Sequence, residues 1–156
     1  MKVRISPCLW FDSQAFDAAR FYCGIFPDSK IVSGNADAIV VEFELSGQRV
    51  MALNGGPHYK LSPAFSFFVN CTTQAEVDQL WEALLADGGT ESRCGWLEDR
   101  FGLSWQIIPE ALGRLMGDPD QERAAAVREA MLTMSKINVA ELERAYNSVG
   151  TPASAG

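Results

Sequence analysis

The chain has 156 residues, 47% of them apolar and 21% charged, enough to bury a full core as one domain or as two small modules. A formal charge of −7 with no compensating Lys/Arg cluster argues against nucleic acid and anionic membrane as partners. The segment Met1-Lys2-Val3-Arg4-Ile5 lacks the apolar core and cleavage site of a signal peptide, and no apolar run approaches the roughly 20 residues of a membrane span, so the cytoplasm is the expected compartment.

In chain order, residues 3–11 (VRISPCLWF) read as a strand, with Pro7 marking an edge or kink. Asp12 or Ser13 then caps a helix carrying Phe16, Ala19, Phe21-Tyr22 and Ile25-Phe26, which Pro27-Asp28-Ser29 stops. A short strand at 30–33, a Gly34-Asn35 turn, a strand at 39–45, a tight Ser46-Gly47 turn and a strand at 49–54 complete the first unit. The pattern then starts again. A strand at 64–71 leads to a helix through Ala86, capped by Thr72 or Thr73, with Glu76 placed for a capping box. Gly88-Gly89 ends it, short strands follow near 90–93 and 94–97, and a strand at 103–109 opens on Phe101-Gly102, the counterpart of Ser46-Gly47. The helix starts Ser13-Gln14-Ala15 and Thr73-Gln74-Ala75 also correspond.

This repetition predicts an α+β fold of two βαβββ modules, about 1–57 and 62–110, forming a curved mixed sheet with a central trough. Residues 111–148 form a helical extension: Asp118-Pro119 starts one helix, Asn138 caps another bearing Leu142 and Tyr146, and Val127, Ala130, Met131 and Met134 share one face. That stripe either packs on its own domain or makes a dimer contact. Residues 149–156, small and polar, read as a disordered tail. The cysteines Cys8, Cys23, Cys71 and Cys94 have no metal-site or disulfide spacing and are expected to be buried free thiols.

Pro7–Asp12 (PCLWFD), Ala52–Pro57 (ALNGGP), Ser66–Cys71 (SFFVNC), Cys94–Pro109 (CGWLEDRFGLSWQIIP) and the run Ala130–Ile137 resemble the PhnB-like group, often labelled 3-demethylubiquinone-9 3-methyltransferase-like, of the glyoxalase/bleomycin-resistance/dioxygenase (vicinal oxygen chelate) superfamily. The resemblance spans roughly residues 3–147 and implies paired βαβββ modules and, commonly, a homodimer. It also implies a divalent metal held at positions that fall here on Ile5, Ala52, Ala64 and Gln106. Three of those side chains have no lone pair to offer and the fourth is a weak neutral donor, so neither a metal there nor any other cofactor is expected. Nor does Gly55-Gly56-Pro57 open a helix as the cofactor turn of a nucleotide-fold methyltransferase would.

The candidate ligand site is therefore an aromatic trough lined by Trp10, Asn54, Trp96, Trp105 and Gln106, with Phe67 nearby and the Asn54-Gly55-Gly56-Pro57-His58 loop at its rim. Each feature also has a plain structural reading: a hinge with a solvated histidine for the loop, ordinary core for the tryptophans. Cys94 is expected to be a structural thiol rather than a nucleophile, Glu98 and Asp99 a solvated turn, and Glu42 and Glu44 a solvent-facing pair. The expected function is a small-molecule-binding protein or metal-independent enzyme. The alternatives are a methyltransferase-like enzyme, a lyase or dioxygenase with a relocated metal, or a structural role resting on the helical tail.

Overall fold

A computed structural model describes residues 1–150. The expected disordered tail lies outside the described residues from 151 onward. The described chain divides into two units, Met1–Phe65 with Phe101–Leu103, and Ser66–Arg100 with residues from Ser104 onward. Among the described residues, no helix is long and apolar enough to cross a membrane.

The first unit runs β1 (Cys8–Phe11), α1 (Ala15–Ile25), β2 (Lys30–Ser33), β3 (Val40–Leu45) and β4 (Gln48–Asn54). Its sheet has the order β1-β4-β3-β2, with β1 parallel to β4 and the other pairs antiparallel. Leu9, Phe11, Val41, Phe43, Leu45, Val50 and Ala52 alternate onto one buried face. Beside it, Ala15, Ala18, Ala19 and Tyr22 form the buried stripe of α1. Phe101 belongs to this core, its ring 5.7 to 6.4 Å from Phe21, Tyr22 and Phe11. The β3–β4 hairpin turns through Ser46 and Gly47 at φ 45° and 88°, the positive pair that a two-residue hairpin loop needs.

The expected strand over 3–11 forms only from Cys8. Cys8 pairs with Met51, so counting back places Ile5 opposite Gln48, where β4 begins. Pro7, whose O accepts from Met51 N–H at 2.9 Å, has no N–H with which to carry the ladder further, and residues before Ile5 outrun the partner strand. Neither Asp12 nor Ser13 caps α1; the acceptor is Asn54 Oδ1, 2.9 Å from the Ala15 N–H.

The second unit repeats the plan with β5 (Ser66–Cys71), α2 (Gln74–Leu85), β6 (Thr90–Glu91), β7 (Trp96–Glu98) and β8 (Ser104–Pro109), in the order β5-β8-β7-β6. The expected capping box is present: Glu76 N–H donates to Thr73 Oγ1, and Glu76 reaches back to the Thr73 N–H. Three helices follow: α3 (Glu110–Met116), α4 (Gln121–Leu132) and α5 (Val139–Ser148). Asn138 caps α5 as expected, but α4 is capped by Asp120, two residues beyond the expected Asp118. The stripe Val127, Ala130, Met131 and Met134 packs on its own unit, against Ile108, Leu112, Leu115, Ile137 and Leu142. Short polar contacts hold the linker before α5. Gln74 donates to Ile137 O (2.9 Å) and accepts from Val139 N–H (2.8 Å), and Lys136 pairs with Asp78 at 2.8 Å. The N–H groups of Cys94 and Gly95 donate to Met134 O and Ser135 O, both at 2.8 Å.

Candidate functional site

Period-two alternation decides which side chains a sheet offers to a ligand. On β8, Trp105 and Ile107 point to the face that α2 covers, with Leu97 of β7 and Phe67 and Cys71 of β5 beside them. Trp105 is 1% exposed, its ring lies 5.2 Å from Phe67, and its indole N–H donates to Asp99 Oδ2 at 2.9 Å. It is a core residue, and Asp99, expected in a solvated turn, is buried as its acceptor. Gln106, the next residue, faces the opposite way. The expected pairing of Trp105 with Gln106 in one trough therefore fails on strand geometry.

What does stand beside Gln106 is a row across three strands. Phe68 of β5 and Trp96 of β7 are its direct cross-strand partners, so the face turned from α2 carries Phe68, Gln106 and Trp96 side by side. Neighbouring strands lie about 4.8 Å apart, which puts the two aromatic residues roughly 10 Å apart with the amide between them. Phe68 is 55% exposed, and Trp96 and Gln106 are half-buried. Gln106 Nε2 donates to Ser66 Oγ at 2.9 Å, which fixes the amide, and among the described residues Oε1 has no hydrogen-bond partner. At the far end of this face Ile108 is covered by the C-terminal helices. The sequence reading missed Phe68 and named its neighbour Phe67; only the β5–β8 register separates them.

In the first unit Trp10 stands on the sheet face turned from α1, half-buried, with Leu53 as its β4 partner. Its indole N–H donates to Gly56 O at 3.0 Å, and its ring meets Tyr59 edge-on at 4.9 Å. Gly55 is required there, because a Cβ would fall 2.2 Å from the Trp10 ring. Asn54 points the other way from Trp10's face. Its Oδ1 caps α1 and its Nδ2 donates to Ala38 O at 3.1 Å, so the fold uses both ends of the amide. His58 is exposed beyond Gly56, whose φ is 85°. The loop thus assembles Trp10, Gly55 and Tyr59, leaves His58 at the surface, and commits Asn54 to structure.

The remaining candidates have other partners. Glu42 and Glu44 are half-buried rather than solvent-facing, both clamped to Arg49, at 2.9 and 3.2 Å. Cys94 occupies a left-handed turn at φ 58°, where its N–H holds the C-terminal linker. All four cysteines are free; Cys8 is exposed, contrary to expectation, while burial and then Glu76 push Cys71 up to about 11.

The divalent metal that the resemblance implies does not fit these side chains. Ile5 is 89% exposed ahead of β1 and Ala64 is exposed ahead of β5. Ala52 lies on the helix-packed face, so the structural counterpart of Gln106 is Met51, also flanked by its two cross-strand partners, Cys8 and Glu42. Among the described residues, no group of three or more His, Cys, Asp or Glu side chains is placed to hold an ion.

Residues 3–108 match the sequence model of the family described as 3-demethylubiquinone-9 3-methyltransferase. The chain belongs to this family. The match ends at Ile108, short of the helical run through 137 that the resemblance had included. Among solved structures it is similar to the PhnB protein of Bacillus cereus, at 29% identity and a TM-score of 0.62, covering 69% of this chain and 99% of that one. A Pseudomonas aeruginosa protein (22% identity, TM-score 0.56, 70% and 98% covered) and a glyoxalase-related enzyme from Fulvimarina pelagi (17%, 0.52, 70% and 89%) share the fold. No curated protein matches the chain. The membership and the glyoxalase-type fold make this a PhnB-like member of the vicinal oxygen chelate superfamily.

Proposed function

We propose that this family member binds a flat organic small molecule on the open face of its second sheet, without a metal at the superfamily's usual position. One observation carries the reading: Phe68, Gln106 and Trp96 stand in a row, two aromatic surfaces flanking a fixed amide with a free carbonyl acceptor. An aromatic ring edged with an N–H or O–H donor matches that row, gaining apolar contact on both sides and a hydrogen bond at the centre. The free thiols and acidic composition support a cytoplasmic setting and a small-molecule partner over nucleic acid.

The test is a screen of heteroaromatic and phenolic compounds read by tryptophan fluorescence and calorimetry. Phe68→Ala and Gln106→Ala should each weaken a hit by about 10-fold or more, the loss expected when a packed ring or a paired amide is removed. Asn54→Asp, placed on the helix-packed side of the first sheet, should leave affinity unchanged. Equal affinity in all three chains defeats the proposal. The family's description makes methyl transfer the competing reading, and calorimetric binding of S-adenosylmethionine at micromolar concentration would favour it.

A further inference from the structure

The two sheets repeat one plan, so positions in the second have counterparts in the first. Met51 corresponds to Gln106, and the register carries that match along the strands. Two residues before Gln106 on β8 stands Ser104, opposite Glu98 of β7. Two residues before Met51 on β4 stands Arg49, opposite Glu44 of β3. Glu98 and Glu44 therefore hold the same position of the repeat. Their surroundings differ in charge. Arg49 holds both Glu44 and Glu42, at 3.2 and 2.9 Å, whereas the second sheet has the neutral Ser104 in place of the arginine and Trp96 in place of Glu42.

Glu98 is thus a carboxylate whose cation is missing from the repeat. It is exposed, and among the described residues its carboxylate makes no hydrogen bond or ion pair. Strands β5 to β8 contain no Lys, Arg or His. Their other acid, Glu91, pairs with Leu97 and accepts the Trp81 indole N–H of α2 at 2.8 Å. Leu97, between Trp96 and Glu98, points to the face that α2 covers, so strand alternation sets Glu98 on the open face with Trp96, Gln106 and Phe68. Gln106 and Glu98 are diagonal neighbours across β8 and β7, about 7–8 Å apart.

We infer, resting on the open-face site proposed above, that its ligand is an aromatic amine whose protonated nitrogen pairs with Glu98. The ring lies against Trp96, and a donor on the ring meets the Gln106 carbonyl. An anion there would face an unneutralised carboxylate on a chain at −7, and a neutral ring would leave that carboxylate to water. A cation gains on two counts, from the carboxylate and from the face of the indole. The diagonal from Gln106 to Glu98 suits a phenol joined to an amine by two carbons.

Three probes with the same phenol and two-carbon arm separate charge from shape: tyramine ends in an ammonium, tyrosol in a hydroxyl and phloretate in a carboxylate. Calorimetry at low salt should rank them in that order. Tyramine should lead tyrosol by about 3- to 10-fold, as one exposed ion pair and a cation–π contact allow, and the gap should shrink as salt is raised. Glu98→Gln should remove most of the gap, and Glu98→Lys should put phloretate first. Glu129→Gln takes the same charge from an exposed position of α4 and should leave the ranking intact. Phe68→Ala should weaken all three. A tyramine preference undiminished by Glu98→Gln overturns the inference, as does phloretate binding at least as well as tyramine, or binding by none of the three. If neutral heteroaromatic compounds still depend on Phe68 and Gln106 in those cases, the open face stands as a binding surface and only its charge preference falls. If Phe68→Ala alters no affinity at all, both fall together.

Discussion

Gly55 is fixed by the indole it touches. Its N–H donates to Phe11 O at 2.9 Å, which brings the backbone against Trp10 so closely that no side chain fits. Gly55→Ala should cost about 1–3 kcal/mol, the usual penalty for overpacking, measured as a lowered urea midpoint at unchanged slope. A smaller loss would mean that Trp10 swings aside, and the Tyr59 contact with it. Asn54 is the second case. Asn54→Ala should cost about 1–2 kcal/mol, because it removes the acceptor for the first turn of α1 and leaves Ala38 O without its donor. This role was invisible in sequence. Asp12 and Ser13 have the right chemistry immediately before α1, but the fold brings in a residue 39 positions away.

At the scale of elements, period and turn chemistry made nearly every strand and helix legible. The failures come from partners. The first strand is shorter than its composition predicts because Pro7 has no N–H to carry the ladder further and β4 begins only at Gln48, opposite Ile5; a pattern confined to residues 3–11 has no term for the second fact. The site was half legible for a related reason. The sequence named Gln106 and Trp96, which do share a sheet face, but the inward face of a strand flips with a shift of one residue, so it named Phe67 rather than Phe68 and placed Trp105 beside a residue that faces away from it. The linker to α5 carries its own prediction. Hydrogen bonds from Lys136 and then Gln74 hold the Asp78 carboxyl below its ordinary 3.8, and the Tyr146 hydroxyl does the same for Asp118. A carboxylate depressed in the folded state contributes fully above its unfolded value and loses that contribution as pH falls through the folded one. Amide protection of α4 and α5 should therefore decline on acidification below about pH 4, and an Asp78→Asn chain should start lower and lose less over the same range.

For the whole molecule, the four thiols report on how burial is distributed. Cys8 is exposed on the face turned from α1, Cys23 and Cys94 are half-buried, and Cys71 is 1% exposed under α2. Burial raises Cys23, and Cys71 stands at about 11, so the thiolate that reacts with a disulfide reagent is scarce at both. One thiol should modify rapidly in the native protein at pH 8, and Cys8→Ser should abolish that phase. Cys71 should react only at the rate of opening of its unit, and a fast second equivalent traced to Cys71 would contradict the packing described. The family match and the solved relatives account for the paired modules; the helical extension lies beyond the matched residues, and its hold on Cys94, Gly95 and Gln74 emerges only from the three-dimensional arrangement.

Phe101 completes the core of the first unit, yet a full βα stretch of the second unit precedes it in the chain. On the ribosome, then, the first module emerges with a gap among Phe11, Phe21 and Tyr22 and waits a few seconds, at roughly 5–20 residues per second, for its last ring to be translated. The nascent chain is exposed to premature pairing and to holding chaperones over that interval, and synonymous codons that slow translation between Ser66 and Phe101 should lower soluble yield without altering a single residue of the product.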